Sequence, residues 1–276
     1  MIPTERIVSK LPSGAVDCHA HVMRKDRPII STRHAPPEHD ITPEDFLAVL
    51  EAHGVSNGVL TAPSFYGSDN SLLLEALRAY PTRLRGTVIV DVDITLSQLE
   101  SMQSAGVVGI RLNWFKRAQL PDVTTKEYQR LFSLVRALDW HVEIFLESER
   151  LQNILPAVQL SGVKVVLDHF ACPDAKLGTE GPGFKRVLEA LGQGNTWVKL
   201  SGPYRLLGAD PQPFVQALRT AGGIESLLWA SDWPWVQHAD GLTYQRCLDW
   251  LAVWVPDSCE RQLVLVDTPS KLFGFN

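Results

Sequence analysis

The sequence predicts a distorted (β/α)8 TIM barrel, and two patterns carry that expectation. β-rich apolar runs alternate with amphipathic stretches eight times along a chain of 276 residues, the layout of repeated strand–helix units. Side chains capable of chemistry then fall at the ends of those runs, where such barrels gather their reactive groups. Strands are expected at 15–19, 58–62, 86–91, 107–113, 141–146, 164–169, 196–201 and 227–231. Runs such as GTVIV and KVVL are apolar throughout, as in strands buried on both faces.

The stretches between them carry helix punctuation. TPEDFLAVLEAHG offers Thr42 as N-cap, Pro43 in the first turn, two early acids and Gly54 as terminator. SDNSLLLEALRAYP opens on Ser or Asp and stops before Pro81, and TKEYQRLFSLVRALDW and PGFKRVLEALGQG follow the same grammar. A doubly wound open sheet is the competing architecture. It would carry a glycine-rich phosphate turn after its first strand, and DCHAHV stands there instead. A barrel of about 250 residues is commonly one domain. No linker, repeat or low-complexity tract interrupts 1–276, so one domain is expected. The long, polar, proline-rich stretch 23–41 follows the first strand and is expected to lie over the barrel mouth.

Composition excludes several classes of function. A net charge of −5 provides no basic face for nucleic acid. No apolar run approaches the roughly 18 residues that span a bilayer. The start, MIPTERIVSK, lacks the apolar core of a secretory signal. Cys18, Cys172, Cys247 and Cys259 show no paired spacing. A reduced, cytoplasmic protein is expected.

Four residues dominate the candidate chemistry: His19 and His21 in AVDCHAHV, His169 in KVVLDHF and Asp232 in LLWASDW. Positions i and i+2 of a strand share a face, so the two early histidines point together. H-x-H alone is commonly two ordinary histidines, and Asp232 alone could cap a helix. Four such groups at strand ends make one mouth with three imidazoles and a carboxylate. That set can bind a divalent metal, or polarise a carbonyl and activate water.

Arginines form a second group. Arg111 lies near the end of an apolar strand, an awkward place for a charge without a partner. Arg117 and Arg205 follow strand ends. Guanidinium groups there suit a carboxylated ligand, with local salt bridges as the alternative. Ser64, Tyr66 and Tyr204 offer hydroxyls, while Asn70 reads as a turn or cap residue. Glu143 and Glu147 share strand parity, and one is expected to face the barrel, without a chemical assignment. His34, His39 and His238 read as solvated loop histidines, and His53 as a helix C-terminal one. Trp250 and Trp254 form a stripe on a late helix that is core or a subunit contact, which leaves a homo-oligomer open.

VDCHAHV, PSFYGSDN, RGTVIVD, GIRLNWFKR, WHVEIFLE, LDHFACPD, VKLSGPYRL, ASDWPW and TPSKLFGF together resemble the amidohydrolase superfamily. The nearer resemblance is to its branch of 2-pyrone-4,6-dicarboxylate lactonase and related sugar lactonases. That resemblance implies a (β/α)8 barrel that hydrolyses a lactone. It makes Asp232 the water-activating base, His19, His21 and His169 the groups that polarise the carbonyl, and Arg111, Arg117 and Arg205 the carboxylate holders. Ser64 and Tyr204 are added as ligand contacts. The chain departs from the branch where Cys172 replaces an arginine and Trp235 a histidine. A substrate with fewer carboxylates is therefore expected. No cofactor is expected; the alternative is one Zn²⁺ or Mn²⁺ on His19, His21, His169 and Asp232, in a metal-dependent hydrolase or decarboxylase. A lactone isomerase is a further alternative. A non-catalytic binding barrel is disfavoured, because base and polarising groups are all retained.

Overall fold

The structure is a computed structural model and describes residues 10–30, 37 and 39–275. Eight parallel strands form one sheet in sequential order: β1 Val16–Ala20, β2 Asn57–Thr61, β3 Leu84–Val88, β4 Val107–Asn113, β5 His141–Phe145, β6 Lys164–Leu167, β7 Thr196–Leu200 and β8 Leu227–Trp229. The last meets the first through a parallel bridge between Ala20 and Trp233. This is a (β/α)8 barrel with an irregular seam.

Helices α1 Pro43–Ala52, α2 Ser71–Ala79, α3 Leu96–Ser104 and α4 Lys126–Ala137 follow the first four strands. Then come α5 Ser148–Leu151, α6 Leu155–Leu160, α7 Pro182–Gly192, α8 Gln212–Gly222 and α9 Tyr244–Trp254, with α10 Ser258–Gln262 and α11 Thr268–Phe273 at the end. α1 starts as expected: Thr42 and Asp45 form a reciprocal capping box, with Pro43 in the first turn. Trp254 is buried and meets Phe170 edge to face, so that end of the α9 stripe is core.

Several strands end earlier than expected because side chains replace the ladder. β3 stops at Val88 since Asn70 takes both main-chain groups of Ile89, donating to its oxygen at 2.8 Å and accepting from its nitrogen at 3.2 Å. Asn70 is thus a tie between loops, not a side-chain cap. β6 stops at Leu167 because His169–Cys172 turn left-handed, with φ of 52, 56, 61 and 46°. β8 stops at Trp229, and Ser231 donates its main-chain N–H to Asp17 Oδ1 at 2.9 Å.

The barrel interior is layered. At its base, Leu272, Phe273 and Phe275 of the C-terminal segment pack on Val16, Cys18, Val59, Val166 and Leu228. Above them the interior turns polar, which departs from the apolar filling usual in this fold. His141 meets Thr87 Oγ1 at 3.2 Å. Gly109 makes room for that ring, because a Cβ there would lie 2.3 Å from it. Glu143, Lys199, Arg111 and Asp168 fill the level above.

Candidate active site

The interior charges balance as two cations and two carboxylates. Lys199 Nζ lies 2.5 Å from Glu143 Oε2 and 3.1 Å from Asp168 Oδ1. Arg111 reaches Glu143 Oε1 at 3.1 Å, Asp168 Oδ2 at 3.0 Å and the Ala62 carbonyl at 3.0 Å. Such burial is tolerable only because each charge is paired. Burial disfavours the ammonium of Lys199, but Asp168 and Glu143 outweigh it and raise its pKa. Burial also opposes ionisation of Asp168, yet Lys199, His19 and Arg111 hold its carboxyl well below the usual range. Glu143 is the weaker acid, pushed up to about 7 by burial and by Asp168.

His19 stands on top of this layer, fully buried, with Nδ1 2.9 Å from Lys199 Nζ and 3.2 Å from Asp168 Oδ1. Its Nε2 lies 3.3 Å from His21 Nε2, so the H-x-H pair does share one side. A register shift between Asp17 and Ala20 turns both Cys18 and His19 inward. Burial, then Lys199, hold His19 well below the ordinary histidine range, so the ring is neutral.

Asp232 forms the floor of the mouth. Its Oδ2 accepts from Tyr204 OH and from Arg205 Nη2, the latter at 3.0 Å. Its Oδ1 faces three imidazoles: His19 Nε2 at 3.6 Å, His21 Nε2 at 3.7 Å and His169 Nε2 at 3.9 Å. Burial alone would raise the carboxyl, but His169 and Arg205 outweigh it, and Asp232 lies well below the usual range. His169 is itself pushed down to about 3 by burial. Asp232 and His169 both adopt positive φ, 60 and 52°. Held non-glycine residues of this kind store about 1–3 kcal/mol each and cluster at working sites.

A cavity of about 200 Å³ opens above Asp232, lined by His21, His169, Ser64, Arg111, Arg205 and Lys116 among others. Asn113, Phe145, Gln237 and His238 complete much of its wall. The sequence therefore brings Asp232, His21, His169, Arg111, Arg205 and Ser64 to one place. His19 lies one layer deeper, and Tyr204 acts on Asp232 from the side. Arg111 lines the cavity with its guanidinium already committed to Asp168, Glu143 and Ala62. Arg117 is exposed on the loop after β4 and is outside the cavity lining. His238, expected to be solvated, is exposed but lines the cavity and packs on Tyr204 at 4.6 Å. His39 is exposed, and His34 lies outside the described residues. His53 bonds the Val49 carbonyl at the end of α1. Tyr66 donates to the Arg24 carbonyl, and Glu147 accepts from the Lys116 main chain at 2.9 Å. Cys172 and Trp235, the two departures from the resembled branch, lie outside this lining.

Lys199, Asp168, Asp17 and Lys116 were not found from sequence. The signal for Lys199 was a lysine inside the apolar run TWVKLS. Asp17 closes the barrel seam, accepting from Ser231 N at 2.9 Å, Ser231 Oγ at 2.5 Å, Tyr244 OH at 2.9 Å and His19 N at 3.2 Å.

His19, His169 and Asp232 bring one donor atom each within 4.8 Å of one another, as do His19, Glu143 and Asp168. The donor types suit a divalent cation. In the second group, however, the Lys199 ammonium already stands among the three. In the first, a metal would need the lone pair of His19 Nε2.

The barrel, with its strand-end histidines and aspartate, defines an amidohydrolase. The amidohydrolase family profile matches residues 16–275, and the chain belongs to that family. Among its relatives is the 4-sulfomuconolactone hydrolase of Rhizobium radiobacter, 28% identical over 96% of this chain and 91% of that one. The D-galactarolactone isomerase of Agrobacterium fabrum is 26% identical over 95% and 91%. A solved structure described as a probable 2-pyrone-4,6-dicarboxylic acid hydrolase from Acinetobacter baumannii, with citric acid bound, superposes with a TM-score of 0.89. It is 34% identical and covers 95% of this chain and 100% of its own.

Proposed function

We propose that the chain is a lactonase that opens a carboxylated lactone by water attack on the ring ester, with Asp232 as base. The observation that carries this is the asymmetric setting of Asp232. Oδ2 is clamped by Tyr204 and Arg205, and Oδ1 alone is turned to the imidazoles. A carboxylate held ionised with one free oxygen is set to accept a proton.

His21 Nδ1 lies 2.7 Å from the Thr61 carbonyl, so that nitrogen carries the proton and Nε2 accepts. This changes the expectation for His21 as a polarising donor. Asp232 Oδ1, 3.7 Å from His21 Nε2, accepts one proton of a water held beside that ring. The water oxygen attacks the lactone carbonyl while Asp232 takes a proton. His169, bonded through Nδ1 to Ser201 Oγ at 2.9 Å, offers Nε2–H to the oxygen that turns negative. The ring C–O bond then breaks, and Asp232 returns the proton to the departing alkoxide. The product is a hydroxy acid, whose new carboxyl ionises.

Arg205 holds the substrate carboxylate in this reading. Its Nε is buried without a hydrogen-bond partner among the described residues, and the guanidinium lies over Phe145 at 5.3 Å. Lys116 supports it from the rim. Arg111 contributes charge from below, and Ser64 a polar contact. Arg117 has no part in this reading. The citric acid of the Acinetobacter structure and the lactone-named relatives support a small carboxylated substrate. Arg205 as the one carboxylate holder, with Lys116 only adding charge from the rim, supports a substrate with fewer carboxylates than a pyrone dicarboxylate. No step of the reaction requires a cofactor. The four cysteines are free, which supports a reducing, cytoplasmic setting, and no helix among the described residues is long and apolar enough to cross a membrane.

A lactone panel followed by pH-stat and by mass tests the reading. Hydrolysis releases one proton and adds one water. A rearranged lactone of unchanged mass, without acid release, would instead make the chain an isomerase, like its Agrobacterium relative.

A further inference from the structure

We propose that Lys199 is a positioning residue whose ammonium fixes His19 as an Nε2–H donor, so that His19 serves the mouth by hydrogen bonding and not as a cation ligand. Lys199 rises from β7 inside the barrel and is fully buried. Its ammonium has three protons and three neighbours: Glu143 Oε2 at 2.5 Å, Asp168 Oδ1 at 3.1 Å and His19 Nδ1 at 2.9 Å. An ammonium has no lone pair. A ring nitrogen at 2.9 Å from it must accept, which leaves the proton of the neutral ring on Nε2.

The other end of the chain of contacts agrees. His21 gives its Nδ1 proton to the Thr61 carbonyl, so its Nε2 offers a lone pair. The two Nε2 atoms, 3.3 Å apart, are then one donor and one acceptor. Every bond from Lys199 through His19 and His21 to Thr61 runs in one direction. Reversing it would set an N–H of His19 against an ammonium and leave two lone pairs facing each other. Metal ligation by His19, His169 and Asp232 would need the lone pair that this arrangement removes.

The alternative tautomer is close at hand. Asp168 Oδ1 lies 3.2 Å from His19 Nδ1 and would claim a proton there once the ammonium is gone. A histidine that donates Nδ1–H to a carboxylate is the usual form of a metal-binding histidine. On this view the lysine decides which chemistry the same residues perform.

The test reads ring nitrogens of ¹⁵N-histidine-labelled protein by NMR, with His19 assigned from a H19Q spectrum. Three chains are compared: wild type, K199M, and K199M/E143Q, which removes one cation together with one anion. The double variant keeps the buried charge balanced should K199M fail to fold. Wild type is expected to show His19 as Nε2–H. The double variant is expected to move it to Nδ1–H and to bind zinc, titrated alone against a chromophoric chelator, about tenfold tighter or more. A wild-type His19 in the Nδ1–H form, or a double variant with unchanged tautomer and zinc affinity, would overturn the proposal. The inference rests on the hydrolytic reading only for the purpose of the donor. Tautomer and zinc affinity are read without any lactone, so an inactive panel would sink the function and leave this result to stand or fall alone.

Discussion

Asp17→Asn separates the barrel seam from every other buried charge. Asp17 accepts two hydrogen bonds from Ser231 beyond β8, one from Tyr244 of α9 and one from the His19 main chain, yet burial pushes its carboxyl up to about 6, against 3.8 for a free side chain. Ionisation is thus harder in the fold by about 2 pKa units, or ~3 kcal/mol at 1.36 kcal/mol per unit. The sign follows from the direction of the shift. A raised carboxyl contributes stability that is complete below about 3.8 and is lost as pH rises through about 6. Roughly 1.5 kcal/mol of that loss falls between pH 5 and pH 8. Asparagine keeps the shape and does not titrate. Urea unfolding of both chains at pH 5, 6, 7 and 8 gives the stability difference, wild type minus variant, at each pH. That difference should shrink by about 1.5 kcal/mol across the range, while Glu143, also raised, cancels between the two chains. A difference that is constant or grows with pH would refute the assignment of a strained, buried carboxyl to the seam.

Asp232→Asn should lower kcat on any lactone the chain opens by about 10²–10⁴-fold, the range for losing a positioned base, measured on protein whose circular dichroism shows it folded. Because Asp232 is held well below the usual carboxylate range, the acid limb of kcat/KM should lie below pH ~4; a limb near neutrality would give the base to another group. Arg205→Met should raise KM for carboxylated lactones about 10–100-fold, the loss of one or two charge-assisted hydrogen bonds, and leave uncharged lactones less affected. Equal losses on charged and uncharged substrates would argue that Arg205 serves only to hold Asp232. Gly109→Ala should destabilise the fold by about 1–3 kcal/mol, because its Cβ would meet the His141 ring at 2.3 Å; thermal unfolding reads it.

The strands and helices were legible because buried parallel strands are apolar throughout and the helices carry their caps in sequence. Strand ends were less legible. Asn70 takes over the ladder at Ile89, Asp17 does so at Ser231, and His169–Cys172 turn left-handed; each depends on a partner or backbone state that no run of residues announces. His19, His21, His169 and Asp232 were legible through their position at strand ends. Their division of labour was not. The charge of Arg111 does need a partner, but the partners are the chain's own Asp168 and Glu143, across the barrel, before any ligand. Lys199 and Glu143 are 56 residues apart, and each reads alone as an oddity in an apolar run. Strand parity also misleads at β1. Strict alternation would turn His19 away from the side that Cys18 faces. The shift after Asp17 turns both inward and seats His19 against Lys199, while His21 alone of the pair lines the cavity. The bulge and the carboxylate that braces it are therefore part of the site's chemistry. Without them His19 would not reach the ammonium that sets its proton.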